Sequence, residues 1–482
     1  MSVLAPEIER LHACEPLGFV GRVASVSGLS VAVNDLPLPV GAIVRMGGDA
    51  VGGPPGDQAG TLGEVAGFEG GRSMVMTYGG LEGVRPGAPV SLVSASPIVG
   101  VGDGLLGRVV NGLGEAIDGK GPVRDRAGRL LNAPPLGAMA RARVVEPIRT
   151  GVRAIDLMTP MGKGQRLGIF AGPGVGKSTL LGQIARGTDA DVSVIALIGE
   201  RGREVPEFIH DALGDAGLAR SVVVVATSDE SPLIRLRAAR YACAAAEHFR
   251  DAGRDVLLMM DSVTRFAHAR RQVGLSVGEP PSTRGYTPSV FAELPVLLER
   301  AGALADDGDS SGARRGSITG LYTILVEGDD MTEPIADAAR GILDGHVMLS
   351  RKLAQRAHFP AIDVLDSVSR VAPAVSDGVH AAATRQAMRM LAAHREVEEL
   401  VRIGAYARGS DPETDTAIEM SAAFEELLQQ PTDEIAAFEA ARERLVRLAM
   451  ESGEKVRTRR DNATLSGQGA GQAGQARGGG SR

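Results

Sequence analysis

Tryptophan is absent from the 482 residues, and aromatic residues make up only 3% of them. So few flat side chains leave little to stack on bases, which argues against a single-strand nucleic-acid surface. The net charge of −7 argues the same way against a broad nucleic-acid face, although a local basic patch stays open. Cysteine is nearly missing. Cys14 and Cys243 lie far apart and neither sits in a motif, so no disulfide framework is suggested and a reducing cytoplasm fits. No apolar run approaches the length of a membrane span. The opening MSVLAPEIER carries acids where a secretory signal needs a basic start and an apolar stretch. What remains is a globular balance, 44% hydrophobic and 23% charged, over a length that exceeds one ordinary core. Two or three domains are expected.

After a short N-terminal segment, 1–17, residues 18–95 read as a β-barrel domain. Leu29, Val31 and Val33 alternate with Ser30, Ala32 and Asn34, the period of a half-buried strand. Turn glycines and prolines recur about every ten residues, as small barrels require. GGPPGDQAG (52–60) reads as a surface loop. From 96 to 375 strands and helices alternate. RLGIFA (166–171), VSVIALI (192–198), SVVVVAT (221–227) and DVLLMMD (255–261) are continuous apolar runs of the kind found in parallel sheets buried on both faces. Residues 376–455 read as a helical domain. Ile435, Phe438, Leu445 and Leu448 share one helical face, as do Phe424, Leu427 and Leu428. The Gly/Gln-rich end, 456–482, has too little apolar surface to pack and is expected to be disordered. ALADDGDSSGARR (303–315) reads as a polar loop.

The strongest local signal is AGPGVGKS (171–178), which closes an apolar run and opens the helix KSTLLGQIA. Glycines let a backbone wrap closely enough for successive N–H groups to meet phosphate oxygens. Ala171, Gly172, Pro173, Gly174, Val175 and Gly176 would form the cradle, with Lys177, Ser178 and Thr179 behind it. Lys177 would bridge the terminal phosphates of ATP, and the Ser178 hydroxyl would ligate Mg²⁺. Ala171 stands where glycine is usual, which is harmless if that residue needs no positive φ. Asp261 ends a buried strand, where side chains are delivered to the ligand-binding edge of an α/β sheet, and would hold Mg²⁺ through water. GERGREV (199–205) ends another run. Glu200 would orient the attacking water, yet Arg201, Arg203 and Glu204 also fit a salt-bridged turn, which residue types alone favour.

GERGREV, standing after such a strand beyond the P-loop lysine, resembles the catalytic subunits of rotary ATPases and their export-ATPase relatives. The likeness continues through ATSDESPLIRLRA (226–238), LLMMDSVTRFAHARR (257–271), GEPPSTRGYTPSVFAELPVLLERAG (278–302), GSITGLYTILVEGDDMTEPIAD (316–337), GILDGHVMLSRKLA (341–354) and PAIDVLDSVSR (360–370). It spans roughly residues 96–420 and is most similar to the flagellar-type, type III secretion export ATPases. The resemblance implies an α/β class with a P-loop (RecA-like) parallel-sheet core, an N-terminal β-barrel and a C-terminal helical domain.

The resemblance also assigns roles. Glu200 matches the catalytic glutamate, Arg201 a neighbour that senses the γ-phosphate, and Arg265 an arginine near the same phosphates. Glu204 would hold a metal-bound water. Arg370 matches an arginine finger that reaches the next subunit's nucleotide. Phe359 stands where relatives carry an adenine-stacking tyrosine, or else it is a core aromatic before a proline. Tyr406 would close the other face of the base. A finger in trans implies a homohexamer. The implied partners are an export-apparatus regulator, a coiled-coil stalk protein, chaperone–substrate complexes and a membrane export gate. These put the chain in the cytoplasm, peripheral to the cell membrane, with no nucleic acid.

A rotary ATP synthase subunit shares the core chemistry, but EGDDMTEPIAD and IGAYARGSDPETDTAI (403–418) look export-like. A non-catalytic ring subunit would lack Glu200, and a hexameric RNA helicase sits poorly with the charge and the few aromatics. GAYARGSDP looks more flagellar than injectisome-type.

Overall fold

The computed structural model describes residues 20–47, 60–305, 315–326, 328 and 330–476. Segment 1–17, residues 52–59 of the glycine–proline loop, 306–314 of the polar loop and 477–482 of the tail lie outside the described residues. The chain divides into two compact units. The first comprises Met1–Ala138, Val192–Pro206 and Leu218–Ala301; the second comprises Met139–Asp191, Glu207–Gly217 and Gly302–Arg482.

The first unit opens with a closed antiparallel barrel. Its strands run in the order Val20–Ser27, Ser30–Asn34, Arg72–Thr77, Thr61–Glu69, Ile43–Met46 and Pro89–Ser94, the last pairing back to the first. Closure leaves no strand edge unpaired. Val23, Val33, Val44, Val65 and Val75 fill the interior. Leu29 does not share the face of Val31 and Val33. It stands with Gly28 in a two-residue hairpin turn, Ser27 facing Ser30, and is 47% exposed. Gly28 has φ of 56°, as such a turn needs.

The same unit holds four parallel strands in the order Asp255–Asp261, Val192–Glu200, Ser221–Thr227 and Arg108–Asn111. Val194 to Ile198 and Val222 to Val225 are buried on both faces, which is why their sequences run apolar without alternation. Helix Pro232–Asp251 packs against the three longer strands. Ser231 caps it by accepting from the Ile234 N–H, and Pro232 starts the first turn, where its missing N–H costs nothing. Ala238, Ala239, Ala242, Ala244, Ala245 and Ala246 are fully buried, and small side chains of this kind permit close approach to the sheet.

In the second unit the strand order is Ile362–Ser369, Gly345–Leu349, Arg166–Ala171 and Ser317–Leu325. Arg166–Ala171 runs parallel to both neighbours, but Ile362–Ser369 and the short Gly302–Ala303 pair antiparallel. The sheet is therefore mixed rather than wholly parallel. Ile362–Ser369 carries Asp363 and Asp366 and is buried only at intervals, so it gave no continuous apolar run.

Three helices complete this unit: Gly378–Arg402, Pro412–Leu428 and Phe438–Ala476. Asp377 caps the first by accepting from the Val379 and His380 N–H groups, and Asp411 caps the second through Thr414. Phe424, Leu427 and Leu428 are buried, as their spacing implies. The face of the third helix differs from the reading. Ile435 precedes the helix and is 56% exposed, and the buried line is Ala441, Leu445, Ala449, Ser452 and Val456. Residues 456–476, read as a disordered tail, continue this helix. Packing accounts for its first part: Val456 is buried, and Lys455 and Arg459 both pair with Glu419. Among the described residues no helix is long and apolar enough to cross a membrane.

Candidate active site

The phosphate loop belongs to the second unit. Strand Arg166–Ala171 ends at its first residue, and helix Lys177–Gly187 begins at its lysine. Gly174 and Gly176 have φ of 76° and 90°, a region that side chains resist, so these two glycines make the wrap possible. Ala171 is an ordinary strand residue without positive φ, buried in the sheet, and alanine there costs nothing. Pro173, Gly174, Ser178 and Thr179 are exposed, while Val175 is buried and anchors the loop from below.

Beside the loop lies a cavity of about 220 Å³ lined by Val175, Gly176, Thr179, Leu180, Gln183, Leu349, Phe359, Pro360, Ala361, Gln430 and Thr432. Phe359 is not a core aromatic. It is 43% exposed, and its ring lies within 3.7 Å of where a Cβ on Gly176 would stand. A flat face beside a phosphate cradle can receive a base. Gln430 holds the wall: its N–H donates to the Phe359 carbonyl at 2.9 Å, and its amide donates to the Gly151 carbonyl at 2.8 Å. Tyr406 does not line this cavity. Its hydroxyl bonds Asp415 at 3.2 Å in the turn before Pro412–Leu428, so local loop structure holds it there. Gln430 and Thr432 went unnoticed in the sequence because no motif surrounds them. Arg370 directly follows strand Ile362–Ser369, with its N–H donating to the Asp344 carbonyl at 2.9 Å, and its side chain is exposed.

The carboxylates belong to the first unit. Asp261 closes its strand, 3% exposed and level with Leu197 of the parallel neighbour, whose strand continues to Glu200. Both acids therefore sit at one sheet edge. Gly199 has φ of 69° and marks a register shift, so the chain bulges as it presents Glu200, which is half-buried. A Cβ on Gly199 would fall 2.9 Å from the Arg265 Cβ, so glycine is what lets the arginine stem pass beside Glu200. Arg201 and Glu204, read as having separate roles, pair with each other at 2.8 Å, with the Arg201 side chain 70% exposed. A pair so exposed contributes little to stability.

A strand, a loop with two left-handed glycines and a helix starting at lysine, set in an α/β sheet, define a P-loop nucleotide-binding protein. Residues 151–369 match the nucleotide-binding domain of the ATP synthase alpha/beta family, and residues 377–447 match the T3SS EscN ATPase C-terminal domain. The flagellum-specific ATP synthase of Treponema pallidum is 51% identical over 433 residues, covering 89% of this chain and 93% of the relative. The type 3 secretion system ATPase of Xanthomonas euvesicatoria is 47% identical, covering 87% and 91%. The assembled ATPase EscN of enteropathogenic E. coli superposes with a TM-score of 0.80 at 41% identity, covering 89% of this chain and all of that one. EscN in complex with its central stalk EscO gives 0.79 at 40%, with the same coverage. The chain belongs to the flagellar and type III secretion ATPases of the ATP synthase alpha/beta family, and it hydrolyses ATP.

Proposed function

We propose that this chain works as a homohexameric ring whose ATP hydrolysis energises export of flagellar proteins at the cytoplasmic face of the membrane. The observation that carries the reading is the 51% identity, over nearly its whole length, of a flagellum-specific relative. An injectisome role is the second reading, favoured by the Xanthomonas relative at 47%. EscN has been solved both assembled and with a central stalk, and that likeness supports a ring and a coiled-coil stalk partner here. A regulator, chaperone–substrate complexes and an export gate complete the proposed set.

Lys177 and the loop N–H groups hold the terminal phosphates, and Phe359 stacks on the adenine. Ser178 would ligate Mg²⁺ through its hydroxyl, and Asp261 would hold it through water. Among the described residues no cluster of three or more His, Cys, Asp or Glu side chains stands ready to hold a metal by itself. A hydroxyl and a carboxylate suit Mg²⁺, which keeps most of its waters and arrives with the nucleotide. When bound, it would supply positive charge that offsets the negative charge of the nucleotide's phosphates. Glu200 orients and polarises the attacking water, Arg201 and Arg265 meet the charge that develops on the phosphate, and Glu204 steadies a metal-bound water. Arg370 completes a neighbour's site.

Phosphate release by purified protein tests the chemistry: Glu200→Gln should lower turnover by about 10²-fold or more. Wild-type rates in that variant would remove Glu200 from the mechanism. In a flagellated cell lacking its own export ATPase, this chain should restore motility and Glu200→Gln should not. Restored injectisome secretion without motility would favour the second reading.

A further inference from the structure

We propose that Arg235 is a positioning residue for hydrolysis, acting through Arg265. The inference rests on the reading that Arg265 and Glu200 serve the terminal phosphate. Arg235 lies in the first turn of helix Pro232–Asp251, directly after the turn in which the Ser228 N–H donates to the Glu200 carbonyl at 3.0 Å. It is 9% exposed. Arginines buried that far are ordinarily matched by acids and fully hydrogen-bonded. Here the match is incomplete. Its Nη2 donates to Gln272 Oε1 at 2.7 Å, but Nε has no partner among the described residues. Gln272 lies two turns beyond Arg265 on helix Val263–Ser276, so the tether draws Arg235 along the flank that carries Arg265.

Arg235 also feels a second cation. Glu230 is the acid whose charge acts on Arg235, while Arg265 acts on it as a second cation. Burial and that repulsion both push the Arg235 guanidinium pKa down from its ordinary value. The Nε of Arg265 and the Oε2 of Glu230 are likewise buried without partners among the described residues. The two guanidiniums repel each other in this partly desolvated space, and an arriving phosphate relieves that repulsion. The Arg265 stem runs past Gly199, where a Cβ on the glycine would stand 2.9 Å from its own Cβ, so it lies close beside the strand that ends in Glu200. Arg235 thus sets where Arg265 presents its charge and raises the positive potential an incoming phosphoryl group meets.

The test uses full-length protein, reading kcat and KM for ATP together with the thermal midpoint. Arg235→Gln should lower kcat about tenfold with KM within about threefold, the pattern of an interaction felt in the transition state. Arg235→Lys keeps the charge and should recover part of the loss. Because Arg235 acts through Arg265, the double variant with Arg265→Gln should be no slower than Arg265→Gln alone. Independent, multiplying losses in the double variant would overturn the proposal, as would a fall in kcat that merely tracks a fall in midpoint. If Arg235→Gln does not fold, Gln272→Ala serves instead, since Gln272 is exposed. It should cost about threefold or more in kcat at an unchanged midpoint, and an unchanged kcat overturns the proposal. Should Glu200→Gln and Arg265→Gln both leave kcat intact, the reading of the site fails first and this inference with it.

Discussion

Asp156 is 3% exposed and accepts from the Thr150 N–H at 2.9 Å, the Thr150 hydroxyl at 2.8 Å and the Gly151 N–H at 3.0 Å. The three donors favour the carboxylate, but burial outweighs them and pushes the carboxyl up to about 6. An acid whose pKa is higher folded than unfolded binds more protons in the native state. Its contribution to stability is therefore complete below the unfolded value, near 4, and is lost as pH rises through about 6. Denaturant midpoints of wild type should fall between pH 4 and 6 relative to Asp156→Asn, which cannot titrate. Parallel pH curves for the two proteins would dismiss the idea. The same turn braces the cavity beside the phosphate loop, because Gln430 bonds both the Arg153 N–H and the Gly151 carbonyl. That link shows where reading residues from sequence stops. Lys177, Ser178 and the two φ-positive glycines announce themselves because phosphate chemistry fixes their spacing. Gln430 and Thr432 do not, since a cavity wall needs only shape and an amide, supplied from far along the chain. Gln183 on the P-loop helix meets the Pro431 carbonyl across 248 positions.

Among elements, helix Phe438–Ala476 gives the clearest energetic handle. Leu445 is fully buried against the neighbouring helices, whereas Met450 on the same helix is 63% exposed. Leu445→Ala should cost about 2–5 kcal/mol through lost burial and a residual cavity. Met450→Ala should stay within about 0.5 kcal/mol. Denaturation followed by helical circular dichroism checks both, and equal losses would mean the helix packs on a different face. Elements with one strong physical cause were legible in advance. Buried parallel strands must be apolar throughout, and all four such runs are strands. Barrel hairpins must turn, and their glycines mark the turns. The failures fall where local pattern and tertiary context part. Leu29 has the right parity for the Val31 face but sits in a turn. Ile435 has helical spacing but precedes the helix. Ile362–Ser369 is an edge strand whose acids hide it. The start of the tail is helical because Glu419, on another helix, holds Lys455 and Arg459.

For the whole assembly the proposed ring makes a demand that no single chain meets. Arg370 has an exposed side chain on a fixed backbone, and in the ring it would serve the neighbour's nucleotide. An arginine finger in trans is worth about 10³–10⁵ in rate, or roughly 4–7 kcal/mol of barrier. Specific activity should therefore climb with protein concentration, and Arg370→Ala should flatten that climb while leaving nucleotide affinity nearly unchanged. A sharper version mixes two inactive proteins. Arg370→Ala subunits keep Glu200 but lack the finger; Glu200→Gln subunits keep the finger but lack the base. In mixed rings, roughly a quarter of the interfaces of a random equal mixture bring an intact Glu200 against an intact Arg370. Turnover should reappear on mixing and vanish on dilution, although neither protein alone has it. Were each chain to hold a self-contained site, mixing would return only the average of two low rates, at any concentration.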